Sequence, residues 1–160
     1  MTERFLLAAS LELCNVGKDF SHLPPHITIV PPFRLDTGRM SDLDRELADR
    51  LSEEAPLHIV GRQLAEYGSA EYPVTVREVS GIAFGVHAAC LALVKHFGGR
   101  FDEKHTAVGW SPHVTDTAAL AEGEERVITD VQLFRYQPNG DKRVVAIYET
   151  LRGKHDEAAA

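Results

Sequence analysis

Two short stretches carry residue types that can do chemistry together. Pro24-Pro25-His26-Ile27-Thr28-Ile29-Val30-Pro31-Pro32 holds a histidine, one apolar residue and a threonine, with proline just before the histidine. Far downstream, Ser111-Pro112-His113-Val114-Thr115-Asp116 repeats the arrangement. In an extended strand, residues two apart point to the same face. Each stretch would then present an imidazole and a hydroxyl side by side, with Ile27 and Ile29 turned the other way into a core. Imidazoles titrate near neutral pH, so one can accept a proton while another gives one up. Threonine hydroxyls can donate to the non-bridging oxygens of a phosphate and hold it in line. His26, Thr28, His113 and Thr115 therefore read as a set facing across one cleft and acting on a phosphodiester. His22, His58, His87, His96, His105 and His155 lack the pattern.

The elements around these stretches must hold them in place. His26 to Val30 is rich in β-formers and closed on both sides by Pro-Pro. Proline donates nothing to a sheet ladder, which predicts sharp strand ends there. Phe5 to Leu13 reads as a first strand and Lys18 to Pro25 as a polar loop. After a turn at Asp36 to Gly38, Ser41 is the expected N-cap of a helix with acidic residues in its first turn. Leu43, Leu47 and Leu51 lay one apolar stripe along it. Leu57 to Glu66 and Pro73 to Val79 alternate as strands, with His58 facing solvent. Ser80-Gly81 predicts a hairpin turn into a strand over Ile82 to Val86. His87 to Phe97 has helical spacing and a Gly98-Gly99 stop, with His87 and His96 expected near its ends at the surface. Arg100 to Thr106 reads as a loop and Val108 to Thr115 as the strand of the second motif. Val127 to Tyr136 and Arg143 to Leu151 are strands joined by a turn at Asn139-Gly140.

Two helices among roughly seven strands, without regular βαβ alternation, indicate an α+β fold with largely antiparallel sheets. Each half holds about one helix and one His-x-Thr strand. The expectation is a single bilobal domain over residues 1–153, two pseudo-symmetric lobes flanking a central cleft. Lys154 to Ala160 is expected to be a disordered tail.

Composition narrows the function. The net charge is −7, from 24 acidic and 17 basic residues. A protein gripping long nucleic acid usually has a basic balance, so a small phosphorylated substrate is favoured over a polymer. No apolar run is long enough to span a membrane, and the short N-terminal one reads as a strand, not a signal peptide. Cys14 and Cys90 read as buried thiols of a cytoplasmic protein. No metal-ligand motif and no phosphate-cradling glycine loop occurs, so neither metal nor cofactor is expected. Phe33, Tyr72 and Trp110 are candidates to stack on a base. Arg34 and Arg135 are candidates to neutralise phosphate. A monomer is expected.

With its two His-x-Thr motifs, the first after an opening strand and followed by the Leu-striped helix, the second after another helix, the chain resembles the 2H phosphoesterase superfamily. That group contains bacterial 2′-5′ RNA ligases and RNA 2′,3′-cyclic phosphodiesterases. The resemblance implies a bilobal α+β fold, with His26, Thr28, His113 and Thr115 as the catalytic tetrad. It implies a cyclic or 2′-5′-linked nucleotide substrate, with a 2′-phosphate product from 2′,3′-cyclic ends. RNA ends, ADP-ribose cyclic phosphate, 2′-5′ oligonucleotides and cyclic oligonucleotide signals all fit. Asp116 departs from the pattern, where the family usually has an apolar residue. The competing readings are a nucleotide-binding module without turnover and a 2′-5′ RNA ligase.

Overall fold

The computed structural model describes residues 1–82, 84–101 and 110–151. Its strands are β1 (Thr2–Ser10), β2 (Asp19–Phe20), β3 (His26–Asp36), β4 (Leu57–Gly68), β5 (Pro73–Ser80), β6 (Arg100–Phe101), β7 (His113–Val114), β8 (Glu125–Ile128), β9 (Asp130–Tyr136) and β10 (Lys142–Glu149). Two helices, α1 (Met40–Ser52) and α2 (Phe84–His96), lie between β3 and β4 and between β5 and β6. The strands follow the order β2-β10-β9-β1-β3-β7-β5-β4-β8, with β6 also on β3. Among the described residues the strand pairings are all antiparallel.

This path has a waist. β3 and β7 meet through the single pair Ile27 and Val114. On one side lie β2, β10, β9, β1 and β3; on the other lie β7, β5, β4 and β8. The fold is α+β and bilobal, and the His-x-Thr strands are the two that touch at the waist.

Burial explains why the waist holds. Leu43, Leu47 and Leu51 are buried along one face of α1. They join Ile27, Ile29, Val114 and the inward residues of α2 in one core that runs under both halves. The Tyr148 hydroxyl donates to Asp44 Oδ1 at 2.7 Å and ties β10 to α1. β1 is buried on both faces: Phe5, Leu7 and Ala9 enter the main core, while Leu6 and Ala8 meet Phe134 and Val144 opposite.

Local details differ from expectation for physical reasons. β3 continues through Pro31 and Pro32 to Asp36. Its register against β1 slips twice between Phe5 and Ala8, so the prolines occupy a bulged stretch. Its other edge pairs with β7 at Ile27 and with β6 only from Phe33. The missing N–H groups are thus not asked for. α1 begins at Met40 after a 3-10 turn, Thr37–Arg39, which Asp36 caps through Gly38 N, so Ser41 lies inside the helix. Ile82 to Val86 does not return as a hairpin strand: α2 already includes Phe84 to Val86. Gly81 (φ 98°) turns the chain there, and a Cβ would collide with the His58 carbonyl oxygen. The expected strand Val127 to Tyr136 divides into β8 and β9 at Thr129. The Lys18 to Pro25 loop contains β2. The expected loop at Arg100 to Thr106 opens with β6, and its remainder, like Val108 and the Lys154 to Ala160 tail, lies outside the described residues.

Candidate active site

β3 and β7 present the two motifs on one surface. Ile27 and Val114 are fully buried cross-strand partners. Extending that antiparallel register one residue each way sets Thr28 across from His113 and His26 across from Thr115. Alternation then turns all four away from the core. The resulting cleft, about 460 Å³, is lined by Thr28, His113 and Thr115 beside Pro31, Pro32, Tyr67, Val76 and Trp110. Apolar walls around a few convergent polar groups are the usual make-up of a small-ligand site.

The two imidazoles are held in the same way. His26 Nδ1 donates to Pro24 O at 2.9 Å, and His113 Nδ1 donates to Ser111 O at 2.9 Å. A carbonyl only accepts, so each Nδ1 carries the proton and each Nε2 is left for chemistry. In both stretches the accepting carbonyl belongs to the residue before a proline. Such a residue is restricted to extended conformations, which helps fix the carbonyl's direction. This gives the Pro before each His a physical role.

Their surroundings differ. Burial lowers the His26 pKa below the usual histidine value; the Pro24 carbonyl opposes this, and the nearby His113 adds to it. The His113 ring is met edge-on by Tyr67, centroids 4.7 Å apart, and the Tyr67 hydroxyl donates to Ser111 Oγ at 2.7 Å. Tyr67 was not evident from the sequence, because the strand was expected to stop at Glu66. β4 runs on to Gly68, and its alternation is the signal that could have found it.

Trp110 reaches the cleft, as its candidacy required. Its indole N–H donates to Thr28 O at 3.1 Å. Among the described residues no strand pairs with this edge of β3 between Ile27 and Phe33, so the indole serves a carbonyl left without a ladder donor. One face of the indole stacks on His87, centroids 4.3 Å apart. His87 is fully buried, contrary to the surface position expected of it. α2 starts earlier than expected, which carries His87 onto the β3 side, where its Nδ1 donates to Ile29 O at 2.6 Å. Burial lowers its pKa, so the buried ring is held neutral.

Other candidates go elsewhere. Phe33 is buried between Phe5 and Phe101, at 5.7 and 5.9 Å, so its ring packs in the core and is not available to a base. Tyr72 is 77% exposed beyond the end of β4 and does not line the cleft. Arg135 sits across from Phe5 and pairs with Glu3 at 3.9 Å, which puts it on the helix side of the sheet. Arg34 is exposed and lines a neighbouring groove. The Asp116 carboxylate accepts from Ala118 N and closes a turn; it orients no imidazole. Cys14 and Cys90 are free and buried, and burial pushes the Cys90 thiol up to about 12, the opposite of an activated nucleophile. Among the described residues no group of three His, Cys, Asp or Glu is placed to hold a metal, and no helix is long and apolar enough to cross a membrane.

A two-lobed α+β fold with a histidine and a threonine from each lobe at its waist defines a class, the 2H phosphoesterases. The family model of the 2′-5′ RNA ligase superfamily matches residues 9–152, and the chain belongs to that superfamily. Its fold is similar to that of Escherichia coli LigT in the apo form (TM-score 0.60, 10% identity, 93% of this chain and 98% of that one). It is similar to TT0787 of Thermus thermophilus (TM-score 0.62, 16% identity, 92% and 98%) and to E. coli LigT complexed with 3′-AMP (TM-score 0.61, 10% identity, 94% and 99%). No curated protein sequence matches the chain.

Proposed function

We propose that the protein is a phosphodiesterase that hydrolyses a cyclic or 2′-5′-linked nucleotide or short oligonucleotide, using His26 and His113 as its acid–base pair and no metal. The observation that carries this reading is the matched pair of Nδ1–carbonyl bonds, on strands whose register sets His26 across from Thr115 and Thr28 across from His113. His26, kept neutral by its burial, takes a proton from water as the water oxygen bonds to phosphorus. The bond from phosphorus to the departing oxygen breaks, and His113 gives that oxygen a proton. Thr28 and Thr115 donate to the non-bridging oxygens and keep attacking and departing oxygens in line. Trp110 and Tyr67 form the wall on which a base packs. That E. coli LigT is seen with 3′-AMP supports a nucleotide as the ligand class.

The test is turnover, in the presence of EDTA, of a 2′,3′-cyclic mononucleotide and a 2′-5′-linked dinucleotide, comparing wild type with His26→Ala and His113→Ala. Hydrolysis by wild type and its collapse in both variants is expected. Binding without hydrolysis would select the nucleotide-binding module instead. A 2′-5′ joint formed from RNA ends, with no release of a 2′-phosphate, would select the ligase.

A further inference from the structure

A second groove, about 730 Å³, adjoins the cleft at Pro31 and Pro32, which line both. Its other lining residues are Arg4, Phe33, Arg34, Arg100 and Phe101. The three arginines lie in one row across three neighbouring strands: Arg4 of β1 faces Arg34 of β3, and Arg34 faces Arg100 of β6. Like charges directly opposite on adjacent strands destabilise a sheet. Among the described residues none of the three forms an ion pair with a carboxylate, although the chain is rich in acidic residues and Arg135 and Arg143 both have acidic partners. The row also shares its face with the tetrad. On β1, Arg4 and Ala8 lie four residues apart and so on the same side; Arg34 stands across from Arg4 and Thr28 across from Ala8. The Arg4 guanidinium lies 4.3 Å over the Tyr136 ring.

We infer that this arginine row binds further phosphates of the same substrate, so that the preferred substrate is a short single-stranded oligonucleotide and not a mononucleotide. This rests on the phosphodiesterase reading of the adjoining cleft and gives that reading a substrate class. Arg34 lies six positions beyond Thr28 along β3, roughly 20 Å at full extension and less through the bulge. That exceeds the reach of a lone cyclic mononucleotide and suits the backbone of neighbouring nucleotides. The row itself spans roughly 10 Å across three strands, enough for more than one phosphate. Guanidinium groups suit this task because their planar donor fork matches phosphate oxygens.

Two measurements on the full chain test it. The first is kcat/KM for a 2′,3′-cyclic mononucleotide and for a 2′,3′-cyclic-ended tetranucleotide, with wild type, Arg34→Gln and Arg100→Gln, each checked for an unchanged melting temperature. The tetranucleotide-to-mononucleotide ratio is expected to favour the tetranucleotide in wild type and to fall about tenfold in each variant. The second is binding of a tetranucleotide to the doubly disabled His26→Ala, His113→Ala protein across a salt series. Each arginine change should flatten the slope of log K against log[salt] by about 0.7. A ratio and slope insensitive to both changes overturn the inference while leaving the phosphodiesterase reading intact. Arginine-dependent tetranucleotide binding without turnover of any phosphodiester keeps the groove and rejects the phosphodiesterase.

Discussion

At each end of the waist an imidazole donates from Nδ1 to the carbonyl two residues back, across a proline, at the same 2.9 Å. The first of these stations sits at the start of an eleven-residue strand paired along its length with β1. The second sits on a two-residue strand held between β3 and β5, with Tyr67 leaning on its ring. The first is the more buried of the two. The second is braced by one aromatic edge and one hydroxyl. A mechanism with a base and an acid needs this kind of inequality, since two imidazoles in identical settings would titrate together. The shared geometry leaves Nε2 of each ring free of its carbonyl bond, and burial lowers the pKa of His26.

Removing either imidazole is expected to have the largest effect. His26→Ala and His113→Ala should each lower kcat by about 10²- to 10⁴-fold, and the double variant should fall little further, because the two act as a unit. A steady-state assay of the three proteins checks this; a fully additive double variant would mean that the stations work independently. Next come the hydroxyls. Thr28→Val and Thr115→Val each remove one hydrogen bond to a charged oxygen, for about 10- to 100-fold in kcat/KM. Trp110→Phe removes the donor to Thr28 O and should disturb only the first station. A loss of about 2- to 10-fold is expected, read as a change at Thr28 and His26 but not at His113 in NMR spectra. Tyr67→Phe is the mirror experiment on the second station and should be the mildest, because the hydroxyl it removes bonds to an exposed serine.

The unequal burial also shows in stability. His26 and His87 both have lowered pKa values from burial. Between the depressed folded values and the unfolded value of about 6.5, the unfolded chain binds more protons. Stability should therefore fall as the pH drops through that window. His26→Gln should blunt the fall, as read from urea midpoints across a pH series.

How much of this could be read from sequence depends on distance along the chain. The two motifs, the α1 stripe and the α+β class follow from local spacing, because alternation and the helical period act over a few residues. The brackets around β3 could not be read this way. Proline's missing donor matters only if a partner strand asks for it, and the bulge against β1 removes the demand. Tyr67, His87 and the placement of Trp110 depend on where β4 ends and α2 begins, which the packing of one half on the other decides. Arg34 and Arg135 look alike in sequence; register alone sends one to the groove and the other to the helix side with Glu3.

His26 and His113 are proposed to act as base and acid on one phosphorus. The most direct test is the pH dependence of kcat/KM for wild type, His26→Ala and His113→Ala on one phosphodiester. The account predicts a bell for wild type whose acid limb lies below the usual histidine range, loss of that limb in His26→Ala, and loss of the alkaline limb in His113→Ala. An acid limb that persists unchanged in His26→Ala would contradict it.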